Sequence, residues 1–296
     1  NEAMDGICAG TPPLEALRCL IHVAATIRAN DGPHSKVIMI NDVARAFFET
    51  PAVRQVCVEL PGEDLTRSDR NLDKVGHLQM SLYGTRDAAM NWQEEVAKEM
   101  VRWGFQRGHY NPCLYWHAKS GLMTLVHRDD FVSVGSTQAA DQFKKQLQAR
   151  FEIKTQVIGG SEMDGGACAP SIDGPPNDKC VQEGRVLNRI VRWTQEGWEM
   201  EPDQRHVDLI VKELGLNDAR PVSTPGEAEN RDEEAECSKP LSPQDATRFR
   251  GLAARANYLA SDRTDIMYSF KDLSPHGHSY GRRTPQAKAP RTLSTG

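Results

Sequence analysis

The sequence lacks the hallmarks of several common protein classes. None of its seven cysteines forms a Cys-x-x-Cys pair, which argues against a disulfide framework or a zinc ribbon and favours a reducing compartment. No apolar run approaches the ~18 residues of a membrane span. The first residues have neither the basic nor the apolar region of a secretory signal. We therefore expect an intracellular protein, cytoplasmic or nuclear, with no membrane partner.

The sequence also has little excess charge of either sign. Its 296 residues carry 36 Lys and Arg against 41 Asp and Glu, a net charge of -5. The acidic stretch 226–237 holds six acids and one base, so it accounts for the whole imbalance. Net charge therefore gives no positive sign of nucleic-acid binding, but a local basic groove would still permit it.

Apolar spacing predicts the order of helices and strands. Apolar residues recur every three or four positions near 14–24, 86–105, 139–151, 206–214 and 245–259, which predicts five amphipathic helices. The short apolar run 37–40 predicts a buried strand, and the runs 121–126 and 131–135 predict a hairpin. Residues 159–184 are rich in Gly, Pro and Asp, which predicts a flexible segment with no packed element.

Three carboxylates interrupt the predicted strands. Asp42 follows the run 37–40, and Asp129 and Asp130 lie at the turn of the hairpin. A desolvated carboxylate is costly unless a cation compensates it, so three acids brought together favour Mg²⁺, with Mn²⁺ as a substitute. Such a site serves two-metal phosphoryl or nucleotidyl transfer. The residues alone leave other readings open, because an Asp-Asp pair is often an ordinary turn and Asp42 could cap a helix.

The blocks around these acids resemble the motifs of copia-type retrotransposon reverse transcriptases. Residues 41–48 (NDVARAFF) resemble motif A, and residues 81–92 (SLYGTRDAAMNW) resemble motif B. Residues 127–130 (HRDD) stand where the family has Tyr-Val-Asp-Asp, its motif C. Shorter matching blocks occur in the family's order at 104–105, 111–115, 151–154, 212–216, 221–225 and 258–266.

The resemblance implies both a fold and a chemistry. The implied fold is α+β, a polymerase palm-like antiparallel sheet backed by helices, with a flexible insertion and a helical C-terminal connection segment. The implied function is that of an RNA-directed DNA polymerase, which adds deoxynucleotides to a primer 3′ end by two-metal catalysis. Its expected partners are an RNA template, a DNA primer, deoxynucleoside triphosphates and the rest of a Pol polyprotein, with integrase upstream and ribonuclease H downstream.

Composition and the resemblance together divide the chain into seven segments. They are an N-terminal helix with a partial fingers remnant (1–36), the reverse transcriptase palm (37–158), the flexible insertion (159–184), a thumb or connection-like segment (185–225), an acidic linker (226–240), a C-terminal helical segment (241–273) and a disordered tail (274–296).

The resemblance also assigns roles to individual residues. The implied catalytic residues are Asp42, Asp129 and Asp130, and Val43 joins them in the implied metal site. The implied substrate-binding residues are Phe47, Tyr83, Gly84 and Arg86. Phe47 matches the aromatic residue that excludes a ribose 2′-hydroxyl in the family, although a Phe at this spacing could equally belong to a core.

Two residues beside the acids depart from the family pattern. His127 replaces the usual Tyr, and Arg128 replaces a small apolar residue. We expect Arg128 either to pair with Asp129 or Asp130 and compete with Mg²⁺, or to contact the primer backbone. Two alternatives remain: a degenerate, non-catalytic remnant that at most binds nucleic acid, and a metal-dependent phosphohydrolase. No helix-borne acid or His cluster accompanies the three acids, which disfavours the phosphohydrolase.

Overall fold

The computed structural model describes residues 9–26, 36–71, 74–159, 179–194, 196–220 and 241–273. The chain divides into two compact units, one built from residues up to 186 with 191–199, the other from 187–190 with the residues after 199. The predicted acidic linker, the predicted C-terminal tail and residues 160–178 of the predicted insertion lie outside the described residues.

A seven-stranded sheet forms the centre of the first unit, in the order β4-β5-β6-β7-β1-β8-β9. Its strands are β1 (Lys36–Val43), β4 (Gln106–Arg107), β5 (Leu114–His117), β6 (Leu122–His127), β7 (Asp130–Ser136), β8 (Ile153–Ile158) and β9 (Lys179–Val181). Neighbouring strands are antiparallel, except that β8 and β9 are parallel. A short 3₁₀ helix (Ala46–Glu49) follows β1, and β2 (Cys57–Glu59), α2 (Arg67–Asn71) and β3 (Val75–His77) come next, with β2 paired to β3.

Helices pack against the middle of this sheet. The core cluster joins one set of alternating strand residues, including Met39 and Phe131, to α3 (Ala88–Arg102) and α4 (Thr137–Arg150). α1 (Leu14–Ala25) packs against β1, β6 and β7. Because helices cover it, the middle of β1 is a continuous apolar run, and burying each large apolar side chain stabilises the fold by roughly 1.5–3 kcal/mol. The predicted antiparallel sheet backed by helices is confirmed.

Sequence periodicity located the three long helices of this unit and three strands of its large sheet. α3 buries Trp92, Val96 and Met100 on one face, and the chain turns after it at Gly104, whose φ is +93°. The predicted hairpin is β6 and β7, and the predicted strand 37–40 lies within β1. Glycine favours a positive φ because it has no Cβ, which explains why α3 ends there.

Two expectations about secondary structure are wrong. β9 forms inside the segment predicted to hold no packed element, because Gln156 of β8 pairs with Lys179 and this long-range pairing overrides local composition. After the predicted last helix, here α6 (Pro243–Ala260), the chain forms a further helix, α7 (Thr264–Leu273). A short turn at 261–263 separates these two helices.

The chain after β9 continues with β10 (Glu183–Val186), β11 (Arg189–Thr194) and β12 (Gly197–Glu201), which form a three-stranded sheet. In the second unit, α5 (Gln204–Leu214) packs on α6, and α6 packs on α7. A buried ion pair joins Arg189 to Asp262 at 2.9 Å. The predicted end of α5 at Gly215 is confirmed by a left-handed backbone with φ +67°. No helix among the described residues is long and apolar enough to cross a bilayer.

Candidate active site

A row of four polar residues crosses one end of the large sheet, and we call it the polar row. Asp42 of β1 is paired with Asp130 of β7. Each acid is also paired with a residue on its other neighbouring strand. Asp130 is paired with His127 of β6, and Asp42 is paired with Lys154 of β8. Directly paired residues on adjacent strands project to the same face of a sheet, so the polar row presents two acids between two basic residues on one face.

The turn that carries Asp129 is tied to two neighbouring elements. The backbone N–H of Val43 donates to the Asp129 carbonyl at 3.0 Å, which joins the turn to the end of β1. The indole Nε1 of Trp92 donates to the Arg128 carbonyl at 2.6 Å, which joins the turn to α3. The sequence-predicted acids are therefore brought together, with Asp42 on the strand next to the 127–130 hairpin.

Burial and like charge raise the pKa of two of the three acids, Asp130 and Asp42. Burial raises the pKa of Asp130 to about 6, and the neighbouring charges of Asp129 and Asp42 add to the effect. Partial burial also raises the pKa of Asp42, as does Asp129, whereas Lys154 opposes the shift. The pKa of His127 is lowered by its burial and by the positive charge of Arg128. The sheet end therefore concentrates negative charge that its own basic neighbours only partly compensate.

The donor set at this end suits a divalent cation. Carboxylate oxygens are the ligands that hard cations such as Mg²⁺ prefer, and such a cation would relieve the repulsion between the acids. The Val43 side chain is buried in the core cluster, which leaves its backbone carbonyl as the oxygen that Val43 could offer. Within the described ranges, no three His, Cys, Asp or Glu side chains lie close enough to hold a metal ion. The acids share a sheet end without forming a closed cage.

Of the two alternatives expected for Arg128, the pairing with the acids is wrong, and contact with the primer backbone stays a prediction. Its side chain is exposed, and the ion pairs found among the described residues include none between Arg128 and Asp129 or Asp130. Arg128 is the first residue of a two-residue turn and has a left-handed φ of +56°. At this exposed position an ion pair gains little over hydration of the guanidinium, so sequence proximity alone does not produce one.

Phe47 and Tyr83 lie together near this sheet end. The backbone of Ser81 donates to the Thr50 carbonyl at 2.8 Å, which joins the segment after Asp42 to the segment before α3. The ring centroids of Phe47 and Tyr83 are 4.4 Å apart, and Phe48 packs edge-on against Tyr83 at 5.6 Å. Phe47 is only half-buried, so it is not solely a core residue.

The remaining predicted substrate-binding residues follow Tyr83 in an exposed turn before α3. Gly84 has a φ of +91°, and the Arg86 side chain is exposed. A cavity of about 280 Å³ is lined by Phe47, Trp92, His127 and Arg128 among others. The structure therefore brings Phe47 to the 127–130 hairpin and Tyr83 to Phe47, whereas Gly84 and Arg86 lie in the exposed turn that follows Tyr83.

Sequence reasoning missed two charged contacts, one in the polar row and one at the start of α3. The alternation of residues 153–158 could have assigned Lys154 to one face of a strand, but no local signal shows that this strand pairs with β1. Arg54 contacts the buried Asp87 at 2.7 Å and lowers the pKa of its carboxyl. This contact fixes the start of α3, and no local pattern in the sequence indicated it.

Comparison with known proteins identifies the first part of the chain. A family model described as "Reverse transcriptase (RNA-dependent DNA polymerase)" matches residues 2–159. Among solved structures, the chain is similar to an apo telomerase from Candida tropicalis truncated from its C-terminal domain, at 10% sequence identity and a TM-score of 0.33. That match covers 64% of this chain and 38% of the telomerase chain.

Proposed function

The chain belongs to the reverse transcriptase (RNA-dependent DNA polymerase) family, and we propose that its polar sheet end adds deoxynucleotides to a primer 3′ end under the direction of an RNA template. We further propose, from the order of its motif blocks, that it is part of the Pol polyprotein of a copia-type element. The observation that supports the proposed chemistry best is the direct pairing of Asp42 with Asp130, beside a turn bonded to Val43.

In this proposal the acids hold divalent cations, preferably Mg²⁺. Asp42 and Asp129 are the principal ligands, with the Val43 carbonyl as a further oxygen and Asp130 as a weaker partner. When bound, the cations favour ionisation of the primer 3′-hydroxyl and neutralise the pyrophosphate that leaves. The ladder between β1 and β7 keeps the backbones of Asp42 and Asp130 at a fixed spacing, so only the side chains of the acids need to turn toward a cation. Lys154 limits the net negative charge that a triphosphate meets at this end.

The aromatic residues select and support the nucleotide in this proposal. The half-buried Phe47 ring is assigned the exclusion of a ribose 2′-hydroxyl, and contact with Tyr83 at 4.4 Å supports that ring from one side. The Tyr83-Gly84 turn borders the incoming nucleotide, and the absence of a Cβ at Gly84 leaves open space there. Arg86 is exposed and supplies a positive charge for phosphate.

A second candidate function is nucleic-acid binding without catalysis. The observation that favours it is that the acid side chains in the described residues do not converge as a metal cluster. A chain of this kind would bind a primer-template weakly, and its affinity would fall steeply with salt because phosphate contacts dominate.

Primer extension distinguishes these two functions. The unmodified chain, Asp42→Asn and Asp129→Ala are incubated with a primed RNA template, deoxynucleoside triphosphates and Mg²⁺ or Mn²⁺. The polymerase proposal requires extension by the unmodified chain and its loss, by about 10²-fold or more, in both variants. Asp141→Asn, an exposed acid on α4, is the matched control and should retain activity. Primer-template binding without extension would support the second candidate, and extension that survives Asp129→Ala would contradict the assigned site.

A further inference from the structure

Residues 150–152, which run from the last residue of α4 toward β8, contact both ends of the 3₁₀ helix that carries Phe47. At its N-terminal end, the backbone N–H of Ala44 donates to the Glu152 carbonyl at 2.8 Å. The guanidinium of Arg45 also pairs with the Glu152 carboxylate at 2.8 Å. At its C-terminal end, Arg150 contacts Glu49. The 3₁₀ helix is therefore held between two oppositely charged residues of one short segment.

The contact at the C-terminal end is the more extensive one. Arg150 Nη1 lies 3.1 Å from the Glu49 carboxylate, and Nη2 donates to the Glu49 carbonyl at 3.2 Å. Nη2 also reaches the Glu95 carboxylate of α3 at 3.3 Å. The guanidinium stacks over the Phe151 ring at 4.6 Å, and that ring packs into the core against Trp92. Arg150 thus joins the 3₁₀ helix to α3 and to the core through the N–H donors of one planar guanidinium group.

The two ends differ in how strongly their ion pairs hold the helix. The Arg45 and Glu152 side chains are 71% and 68% exposed, and such a surface pair contributes little to stability. The Arg150 and Glu49 side chains are 31% and 33% exposed, and their network includes a backbone carbonyl at the negative end of a helix. Of the two ion pairs, the one that Arg150 makes is therefore the stronger restraint on this helix.

We propose that Arg150 is a positioning residue for nucleotide selection. By holding Glu49, it fixes the 3₁₀ helix and so keeps the Phe47 ring against Tyr83. This inference rests on the proposed function, in which the Phe47 ring excludes the 2′-hydroxyl of a ribonucleotide. Without Arg150 the helix loosens, Phe47 withdraws from the sugar, and ribonucleotides compete better with deoxynucleotides.

Hydrogen exchange of the full chain tests the restraint without requiring activity. The amides of Phe48 and Thr50 donate to the carbonyls of Arg45 and Phe47 within this helix, so their exchange reports its opening. Arg150→Gln should speed their exchange by about tenfold, because a charge-assisted network is lost. Arg102→Gln is the matched control, since Arg102 is the last residue of α3 as Arg150 is of α4 and makes one exposed ion pair. It should leave both amides unchanged.

Nucleotide discrimination tests whether Arg150 affects the selection of deoxynucleotides over ribonucleotides. The ratio of deoxynucleotide to ribonucleotide incorporation, measured by single-nucleotide extension, should fall several-fold in Arg150→Gln and stay constant in Arg102→Gln. Arg150→Lys keeps the charge and should recover part of the ratio, and it serves as the test variant if Arg150→Gln does not fold. Unchanged exchange of Phe48 and Thr50, or faster exchange with an unchanged ratio, would overturn the inference. If the unmodified chain incorporates no nucleotide, the proposed function fails, and the exchange comparison alone then decides whether Arg150 holds the helix.

Discussion

The middle and the end of β1 and β7 share one ladder of pairing but have opposite physical character. In the middle, Ile38 is paired with Val134, and all the residues from 37 to 41 are buried. At the end, the same register pairs Asp42 with Asp130, and burial together with like charge raises the pKa of both acids. The difference shows that the apolar middle stabilises the sheet, whereas the acidic end is held in place against its own repulsion.

The contrast arises because burial changes the free energy of apolar side chains and of carboxylates in opposite directions. Apolar side chains in the middle are stabilised by removal from water, and the effect increases with the area buried. Carboxylates at the end lose hydration and face like charge, so their ionised forms are less stable than in the unfolded chain. Substitutions in the two regions should therefore change stability in opposite directions.

The largest expected change in stability is in the middle. Phe131 is fully buried among core aromatics and lies next to Asp130 in sequence, with its side chain on the other face of β7. Phe131→Ala should lower the free energy of unfolding by about 3–5 kcal/mol, because it removes a large buried ring and leaves a cavity. Urea denaturation measures the change. A loss below about 1 kcal/mol would show that the ring contributes little to the core.

The next largest change is at the acidic end and has the opposite sign. The pKa of Asp130 is about 6 in the folded chain and 3.8 ordinarily, so the folded state binds more protons than the unfolded state between these values. Folding is thus favoured at low pH, and this contribution is lost as pH rises through 6. Asp130→Asn should therefore raise the free energy of unfolding by about 1–3 kcal/mol at neutral pH.

The pH dependence of this gain separates repulsion from other causes. The gain should shrink as pH falls from 6 toward 4, because the native Asp130 then carries a proton as well. Denaturation of both chains across this range, without divalent cations, gives the profile. Asp141→Asn on the exposed side of α4 is the control and should change stability by less than about 0.5 kcal/mol. If the stability gain of Asp130→Asn were constant with pH, repulsion between the ionised acids could not be its cause.

The smallest expected change concerns the turn between the two acids. Arg128 has a left-handed φ of +56°, which is unfavourable for a residue with a Cβ. Arg128→Gly should raise the free energy of unfolding by about 0.5–1 kcal/mol, since relief of the strain exceeds the added flexibility of the unfolded chain. Arg128→Ala removes the same charge without relieving the strain, so it should bring no such gain. Equal gains in both variants would attribute the effect to charge.

The sequence predicted features that have a local signal. α3 and the β6–β7 hairpin were found because their apolar residues follow a regular period, and the ends of α3 and α5 coincide with glycines. The neighbouring positions of Asp42 and Asp130 came from the motif resemblance, because periodicity does not determine which strands pair.

Features that depend on distant pairing or on backbone dihedrals could not be predicted. Lys154 reaches the polar row, and β9 joins the sheet, only through registers set over long sequence separations. The ion pair expected for Arg128 does not form among the described residues, and neither the left-handed backbone nor the exposure of this residue has a signature in the residue type. The Arg150 contact with Glu49 joins residues 101 positions apart, beyond any local pattern.

Cation-dependent stability tests the central claim most directly, namely that the acidic sheet end is built to hold divalent metal. The free energy of unfolding of the unmodified chain and of Asp42→Asn is measured at neutral pH with and without millimolar Mn²⁺. Binding to the folded state alone should stabilise the unmodified chain by about 1–3 kcal/mol at a concentration well above the dissociation constant. Asp42→Asn should lose most of this gain because a principal ligand is removed. An equal gain in both chains, or none in the unmodified chain, would contradict the account.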